Sequence, residues 1–368
     1  MSDSVPCEVF FAYPSQHSLR VEAIRDACLG LKKRQIGART WEDLPIEGRL
    51  LIAKICAAVN DSKMLIAEIS DMNDNVLFEV GFALARNKII WLALDETDGD
   101  AIRRWNEVAI FSTIERINYS GNANRLVAQY VDKQADITST PRLFETLVAG
   151  ARIREENAVF APSVPIKFQA VTQLEKLLER QTHLKILASG DDLGLAPLDF
   201  YVKEIYRSSA AIFHLLKLNR LRAAEHNARA SFLAGVAYGL DLPVLMVVEN
   251  GFVSPLDYKD LLYPYHSSAL LQDFVKNWLD NLPRQAGSNK RLGRLVLDIE
   301  LPLSSFGQYV AEYETDELTD YFIQTNEFRA ILEGSAKVFI GRKGTGKTAT
   351  MSQAVIELRK DRRNLVVS

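Results

Sequence analysis

The stretch SDMNDNVLFEVGFALA, residues 70–85, contains one charged residue from Val76 onward, Glu79, in a run that is otherwise apolar or small. A buried carboxylate without a partner is costly, so an apolar helix keeps one when it is paired or has a chemical role. Asn75 is a good N-cap, which places Val76 first and Glu79 fourth in a predicted helix. A capping box needs its acid one position earlier, at Phe78. Capping therefore does not explain Glu79.

The predicted position of Glu79 also suits a ligand site. It lies close to a helix N-terminus, where the helix dipole favours a negative charge. It also lies beyond the C-terminal end of the predicted strand MLIAEIS, which is where open α/β sheets bind ligands. A structural role remains the alternative, in which Glu79 forms a buried ion pair with a cation such as Arg39.

The segment IAEISDMNDNVLFEVGFALA resembles the signature of the nucleoside 2-deoxyribosyltransferase-like group, a relative of TIR domains. In that group, a glutamate at this place attacks, or assists attack on, C1′ of a nucleoside or nucleotide sugar. The resemblance extends in detail over about residues 8–95 and implies the same role for Glu79. It implies an N-glycosidic-bond-cleaving enzyme, a hydrolase or transferase, whose substrate is a nucleoside, a nucleotide or NAD. No cofactor is implied for this site.

The resemblance implies further site residues. Tyr13, at the end of the first predicted strand, is positioned to orient the glutamate, and Asp43 lies in the substrate-loop-like segment WEDLPIEG. Cleavage passes through an oxocarbenium-like state that a carboxylate stabilises, and a second acid usually protonates the leaving base. Asp43, Asp71 and Asp74 remain alternatives for that acid. The predicted substrate-binding residues are Asp71, Asp74, Asn75, Phe11 and Ser15.

A second motif lies near the C-terminus, in the segment AKVFIGRKGTGKTATMSQAVIEL. Its pattern GxxxxGK[ST], between a predicted strand and a predicted helix, is that of a phosphate-binding P-loop. In such a loop, backbone N–H groups hold ATP phosphates, Lys347 reaches the terminal phosphates and Thr348 binds Mg²⁺. Because only 20 residues follow Thr348, we expect the NTPase domain to continue beyond Ser368 and these residues alone not to hydrolyse ATP. The predicted nucleotide-binding residues are Gly341, Gly344, Gly346, Lys347, Thr348 and Ala349.

Short apolar runs alternate with helical patterns from the N-terminus, which predicts a parallel α/β sheet. The predicted strands are EVFFAYPS, IGARTW, MLIAEIS and IIWLAL, and the predicted helices span 18–33, 49–60 and 76–86. The following segment repeats these signals. Phe78 and Gly81 recur as Phe232 and Gly235 at an offset of 154, and MLIAEIS recurs as AIFHLLK. At an offset of 149, Phe11–Ala12 and Asp43–Leu44 recur as Phe160–Ala161 and Asp192–Leu193.

These patterns predict an α/β protein of two tandem flavodoxin-like or Rossmann-like parallel-sheet domains and a truncated P-loop NTPase segment. The first domain spans 1–150, a degenerate second copy 151–283, a linker and lead-in 284–335, and the start of the NTPase domain 336–368. The alternative is that unrelated α/β units share such generic patterns.

The second copy has Leu233 in the place of Glu79 and a longer loop before it. If Glu79 is catalytic, the second copy has lost catalysis and serves as a structural or ligand-binding partner. Two functions from different classes follow: the glycosidic-bond enzyme, or a catalytically inert nucleotide-sensing module that regulates the NTPase. Fusion to a P-loop resembles multidomain bacterial antiphage proteins, which implies a role in defence and a homo-oligomer.

The composition is that of an ordinary globular protein, with 48% hydrophobic and 25% charged residues in 368. A formal net charge of −3 gives no reason to expect binding to nucleic acid or to an anionic membrane. The absence of a long apolar run and of a leader-like start predicts a cytoplasmic protein. Its three cysteines are widely spaced and predict neither disulfides nor a zinc site.

Overall fold

The computed structural model describes residues 7–44, 51–111, 114–137, 142–151, 154–181, 184–187, 196–253, 258–282, 331–332, 354–355 and 358. The predicted P-loop, residues 341–349, lies outside the described residues, as does the predicted match at Asp192–Leu193. Contacts along the chain divide it into two units, Met1–Asp298 and Ile299–Ser368. The strands and helices of the two sheets all belong to the first unit.

The first half of this unit alternates strands with helices. Its strands are β1 (Val9–Ala12), β2 (Ala38–Thr40), β3 (Met64–Glu68), β4 (Ile89–Leu94) and β5 (Arg116–Asn118). Its helices are α1 (Ser18–Lys32), α2 (Leu51–Asp61), α3 (Asp74–Ala85), α4 (Gly99–Val108), α5 (Ala123–Ile137) and α6 (Leu143–Val148), and a 3₁₀ turn spans Trp41–Asp43.

The second half repeats the alternation. Its strands are β6 (Ala158–Phe160), β7 (Lys185–Leu187), β8 (Ala210–Leu215), β9 (Val244–Glu249) and β10 (Leu262–Tyr265). Its helices are α7 (Gln169–Glu179), α8 (Leu198–Arg207), α9 (Ala223–Gly239) and α10 (Ser268–Asp280), and a 3₁₀ turn spans Lys259–Leu261.

Both sheets are parallel and have one topology. The first sheet has the order β2-β1-β3-β4-β5, and the second, β10-β9-β8-β6-β7, has the same order when β6–β10 take the places of β1–β5. The tandem α/β fold is therefore confirmed. Helices cover both faces of such a sheet, which explains why the inner strands read as continuous apolar runs.

Sheet register corrects part of the predicted internal alignment. Val9 pairs with Met64 in the first sheet, and Val159 pairs with Ala210 in the second. Val9 and Phe11 belong to the core beneath α1, and Val159 and Ala161 belong to the core beneath α7. Phe11 therefore corresponds to Ala161 at an offset of 150.

The offset of 149 was wrong, because a shift of one residue moves a strand side chain to the opposite face. For the same reason Met64 corresponds to Ala210 and not to Ala211, the first residue of the matched segment AIFHLLK.

The two halves pack through α3 and α9 at unusually short range. A Cβ atom added at Gly81 would lie 2.0 Å from the Phe232 carbonyl oxygen, and one added at Gly235 would lie 2.0 Å from the Phe78 carbonyl oxygen. The contact is reciprocal at the predicted offset of 154, and it recurs at Gly239, which meets Phe82 and Ala85. Helices buried on every side are apolar all round, which accounts for the composition of both segments.

Aromatic rings and hydrogen bonds surround this crossing. Phe78 stacks on Tyr258 with ring centroids 5.1 Å apart, and Phe111 meets Phe232 edge-on at 4.9 Å. Arg229 of α9 donates hydrogen bonds to two carbonyl oxygens at the end of α4, those of Glu107 and Val108. None of the described helices has the combined length and apolar character that a membrane crossing requires.

Replacing Gly81 by alanine forces a methyl group into a backbone carbonyl, so we expect the free energy of unfolding to fall by at least about 3 kcal/mol. Denaturant unfolding of Gly81→Ala, followed by circular dichroism, measures this change. Gly99→Ala is the matched control, because a Cβ atom there meets nothing within 4 Å, and it should be neutral or slightly stabilising. Equal stabilities of the two variants would contradict the close crossing.

Candidate active site

The N-terminus of α3 begins earlier than predicted. Asn73 is the N-cap, because its side-chain oxygen accepts hydrogen bonds from the backbone N–H of Asn75 (3.0 Å) and of Val76 (3.3 Å). Asn75 is therefore not the cap, and Glu79 is the sixth helical residue. The dipole effect falls off within the first turn, so it stabilises a charge on Glu79 less than expected. Because a capping-box acid is the third helical residue, this position also excludes a capping role for Glu79.

Glu79 is buried, with 6% of its surface exposed. It lies close to Cys56 of α2, where burial and, to a lesser extent, the negative charge of Glu79 raise the pKa of the thiol to about 12. The neighbouring residues Phe78 and Gly81 face α9 instead. Glu79 thus lies on the α2 side of a helix whose adjacent face forms the contact between the two halves.

Tyr13 lies on the face of the first sheet covered by α1 and α5, in the same core cluster as Phe11. Its ring meets Trp41 at 6.1 Å, and its hydroxyl faces Thr40 and Arg25 without a hydrogen-bond partner among the described residues. Burial is the main reason that its pKa rises to about 12. The described contacts therefore group Tyr13 with the β2 end of the sheet.

The three alternative acids have different environments, and the first two are paired. Asp43 accepts hydrogen bonds from the backbone N–H of Thr40 (2.9 Å) and from Lys32 (3.0 Å). Although burial alone would raise the pKa of Asp43, these bonds lower it below its ordinary value. Asp71 lies 2.7 Å from Arg20 and 3.3 Å from Arg104. Both carboxylates therefore lie against cationic side chains.

Asp74 is the acid without a described cation. It is the first residue of α3, is partly buried, and burial raises its pKa from 3.8 to about 7. A carboxyl group with such a pKa exchanges a proton near neutral pH, which is what general acid catalysis requires. Of the three acids, Asp74 is the best suited to protonate a leaving group.

The remaining predicted residues have varied surroundings. Phe11 has no exposed surface and lies inside the core, where it cannot touch a substrate. Ser15 is exposed and lies three residues beyond the end of β1. The side-chain oxygen of Asn75 is buried and has no partner among the described residues, so it remains available to a ligand. The described residues contain no group of ligands suited to a metal ion.

A polar cluster that no sequence motif indicated lies at the carboxyl edge of the same sheet. The Glu68 side chain, 1% exposed, accepts hydrogen bonds from the Ser70 backbone N–H and from the Tyr119 hydroxyl, both at 3.2 Å. Burial raises the pKa of Glu68. Arg20 lies beside it and bridges Asp71 and Asp98. A charged residue at the end of the apolar strand MLIAE was the available signal.

No protein-family model matches the chain. A curated relative, the putative transposon gamma-delta 80.3 kDa protein of Escherichia coli (strain K12), is 34% identical over 75 residues. This match covers 20% of the present chain and 11% of the length of that relative. Among solved structures, the first ketoreductase of the tylosin PKS is 11% identical and covers 73% of this chain and 88% of its own, with a TM-score of 0.23. A TM-score this low does not establish that the two chains share a fold.

The raised pKa of Asp74 predicts how stability depends on pH. Between pH 3.8 and about 7, the unfolded state loses a proton that the folded state keeps, so wild-type stability falls as pH rises through this window. Asp74→Asn removes that loss. Its melting temperature, relative to wild type, should therefore increase from pH 4 to pH 7 and then level off.

Asp43→Asn is the control with the opposite sign. Because the pKa of Asp43 is lowered in the folded state, the charged form adds stability above its ordinary pKa, and that stability is lost as pH falls. Asp43→Asn should therefore be destabilising at pH 7 and less so in acid. If the melting temperatures of the two variants, each relative to wild type, changed with pH in the same direction, the environments assigned to Asp74 and Asp43 would be contradicted.

Proposed function

We propose that the first domain cleaves the N-glycosidic bond of a nucleoside, a nucleotide or NAD, as a hydrolase or a transferase, in bacterial defence. The supporting observation is a pair of carboxyl groups on α3, Asp74 and Glu79, that has no counterpart in the second copy. At the offset of 154, Ala228 and Leu233 take their places in α9, whereas Phe78 and Gly81 keep theirs. The packing residues are thus retained, and the two acids are not.

The two acids take complementary roles in the proposed reaction. In a nucleoside or nucleotide, Asp74 donates its proton to the base as the bond between C1′ and the base nitrogen breaks, and the electron pair of that bond stays on the base. The nicotinamide of NAD leaves as a neutral molecule when it takes that electron pair, so it needs no proton. Glu79 stabilises the oxocarbenium-like sugar or bonds to C1′. Water, or a second base in a transferase, then attacks C1′. A proton from this nucleophile restores Asp74, which returns both carboxyl groups to their starting state.

Glu79→Gln keeps volume and hydrogen bonding but removes the charge that stabilises the transition state. We expect base release from a panel of nucleosides, nucleotides and NAD, followed by chromatography, to fall about a hundredfold or more. The melting temperature should not fall, because a neutral amide avoids burying a charge. The matched control is Glu225→Gln on α9, which replaces a glutamate paired with Arg222 in the second copy and should leave base release unchanged.

Equal activity of wild type and Glu79→Gln, or a lost fold in place of lost activity, would make Glu79 a structural residue. The nucleotide-sensing module that regulates an ATP-binding NTPase would then replace the enzyme as the proposed function.

The pKa of about 7 for Asp74 also predicts the pH profile of the reaction. Because the proton donor is lost above that pKa, we expect the rate of base release to fall up to tenfold per pH unit above pH 7. Asp74→Asn should be slower below pH 7 and lack this decline. A decline that persists unchanged in Asp74→Asn would assign the proton donor to another group.

A further inference from the structure

A cavity of about 330 Å³ opens in the second half of the unit, between α7 and the carboxyl ends of β6, β7 and β8. Strands β6 and β8 are neighbours at the point where the strand order reverses, which is where open α/β sheets bind ligands. The volume is within the usual range for small-molecule sites. Its apolar walls are formed by Val171, Leu174, Leu178, Ile186 and Ile212.

The equivalent place in the first half holds a charged and an aromatic side chain, those of Glu68 and Phe11. Sheet register makes His214 the counterpart of Glu68, and Tyr265 the counterpart of Tyr119. The core residues of α1 and α7 share an offset of 150, which makes Ala170 the counterpart of Arg20.

Phe11, the counterpart of Ala161, fills the corresponding place of the first sheet with a fully buried ring. In the second sheet Ala161 lines the cavity with only a methyl group. The exchange of phenylalanine for alanine therefore accounts for the open space.

His214 supplies a polar atom without a partner at this cavity. Its side chain is 4% exposed, its Nε2 lies 2.9 Å from the Tyr265 hydroxyl, and its Nδ1 has no hydrogen-bond partner among the described residues. Burial lowers the pKa of His214 to about 3, so the ring is neutral. An unpaired buried polar atom destabilises the free protein, and a bound ligand with a matching group removes that penalty.

The charges around the cavity select against anions. Lys167 is paired with Glu175, and Glu179 adds a second acid, so these three side chains sum to −1. A phosphate group gains nothing from such a rim. A suitable ligand is therefore uncharged, covers the apolar walls on α7 and the sheet, and carries a hydrogen-bonding atom at its edge. A planar heteroaromatic ring combines these three properties.

We propose that the second domain binds an uncharged heteroaromatic molecule of nucleobase or nucleoside size, with one edge hydrogen-bonded to His214 Nδ1. This site is separate from the carboxyl groups of α3 and does not depend on the activity proposed for the first domain.

The test is isothermal titration of the full chain with adenine, adenosine and AMP. We expect adenine or adenosine to bind and AMP to bind at least about tenfold more weakly, because its phosphate meets an acidic rim. His214→Leu removes the ring nitrogens and should weaken binding at least about tenfold, and it should lower the melting temperature, because the buried Tyr265 hydroxyl loses its partner. Ala161→Met places a flexible side chain in the cavity and should have the same effect on binding.

Gly99→Ala, which alters only the first domain and meets nothing within 4 Å, is the control and should leave the affinity unchanged. A direct measurement on the wild type is the nitrogen chemical shift of His214 Nδ1, which should move when adenine binds. The proposal is overturned if none of the three probes binds, if AMP binds most tightly, or if His214→Leu and Ala161→Met both bind as wild type does.

Discussion

The close crossing of α3 and α9 is the constraint on which the rest of the structure depends. Two backbones approach so closely that the Gly81 and Gly235 positions have no room for a methyl group, and each glycine meets the carbonyl oxygen of the other helix's phenylalanine. Interiors are packed as densely as organic crystals, so such a contact tolerates few side chains. It therefore dictates small and apolar residues along both helices and joins the two sheets through one reciprocal interface.

This constraint also distinguishes the residues of α3 that helix packing explains from the one residue that it does not. Packing accounts for the small and aromatic residues of α3, because they have partners on α9 at the same offset. It does not account for Glu79, which lies beside Cys56 of α2 and whose counterpart is Leu233. A helix that must be apolar for one reason and still keeps a carboxylate on its adjacent side points to a second requirement. The chemistry proposed for the first domain is a candidate for that requirement.

The two halves differ in the partners that stabilise a buried polar side chain at the strand ends. The first surrounds Glu68 with Tyr119, Ser70 and the Arg20 cluster, because a buried charge is tolerated only with partners. The second replaces the acid with a neutral histidine bonded to Tyr265, and the arginine with Ala170. The retained tyrosines show that the two halves share one framework, and the exchange of Phe11 for Ala161 leaves room for a cavity beside His214.

Much of the fold could be predicted from sequence because it depends on local patterns. Apolar runs mark buried parallel strands, small residues mark the helices α3 and α9, and the offset between Gly81 and Gly235 survives because one interface constrains both. Strand offsets were off by one residue because the Phe–Ala pairs at 11–12 and 160–161 have the same letters but lie on opposite faces. Face alternation becomes visible only when the strands pair.

The candidate site, like the fold, could be predicted from sequence only in part. The sequence by itself determined that Glu79 is an exceptional charge in an apolar helix, since that judgement needs only its neighbours along the chain. Only the tertiary structure decided which helix residue is the cap, which of Asp43, Asp71 and Asp74 lacks a cation, and that the second half holds a cavity beside His214. These properties depend on burial and on charges supplied by residues far away in sequence, and such distances are set by folding alone.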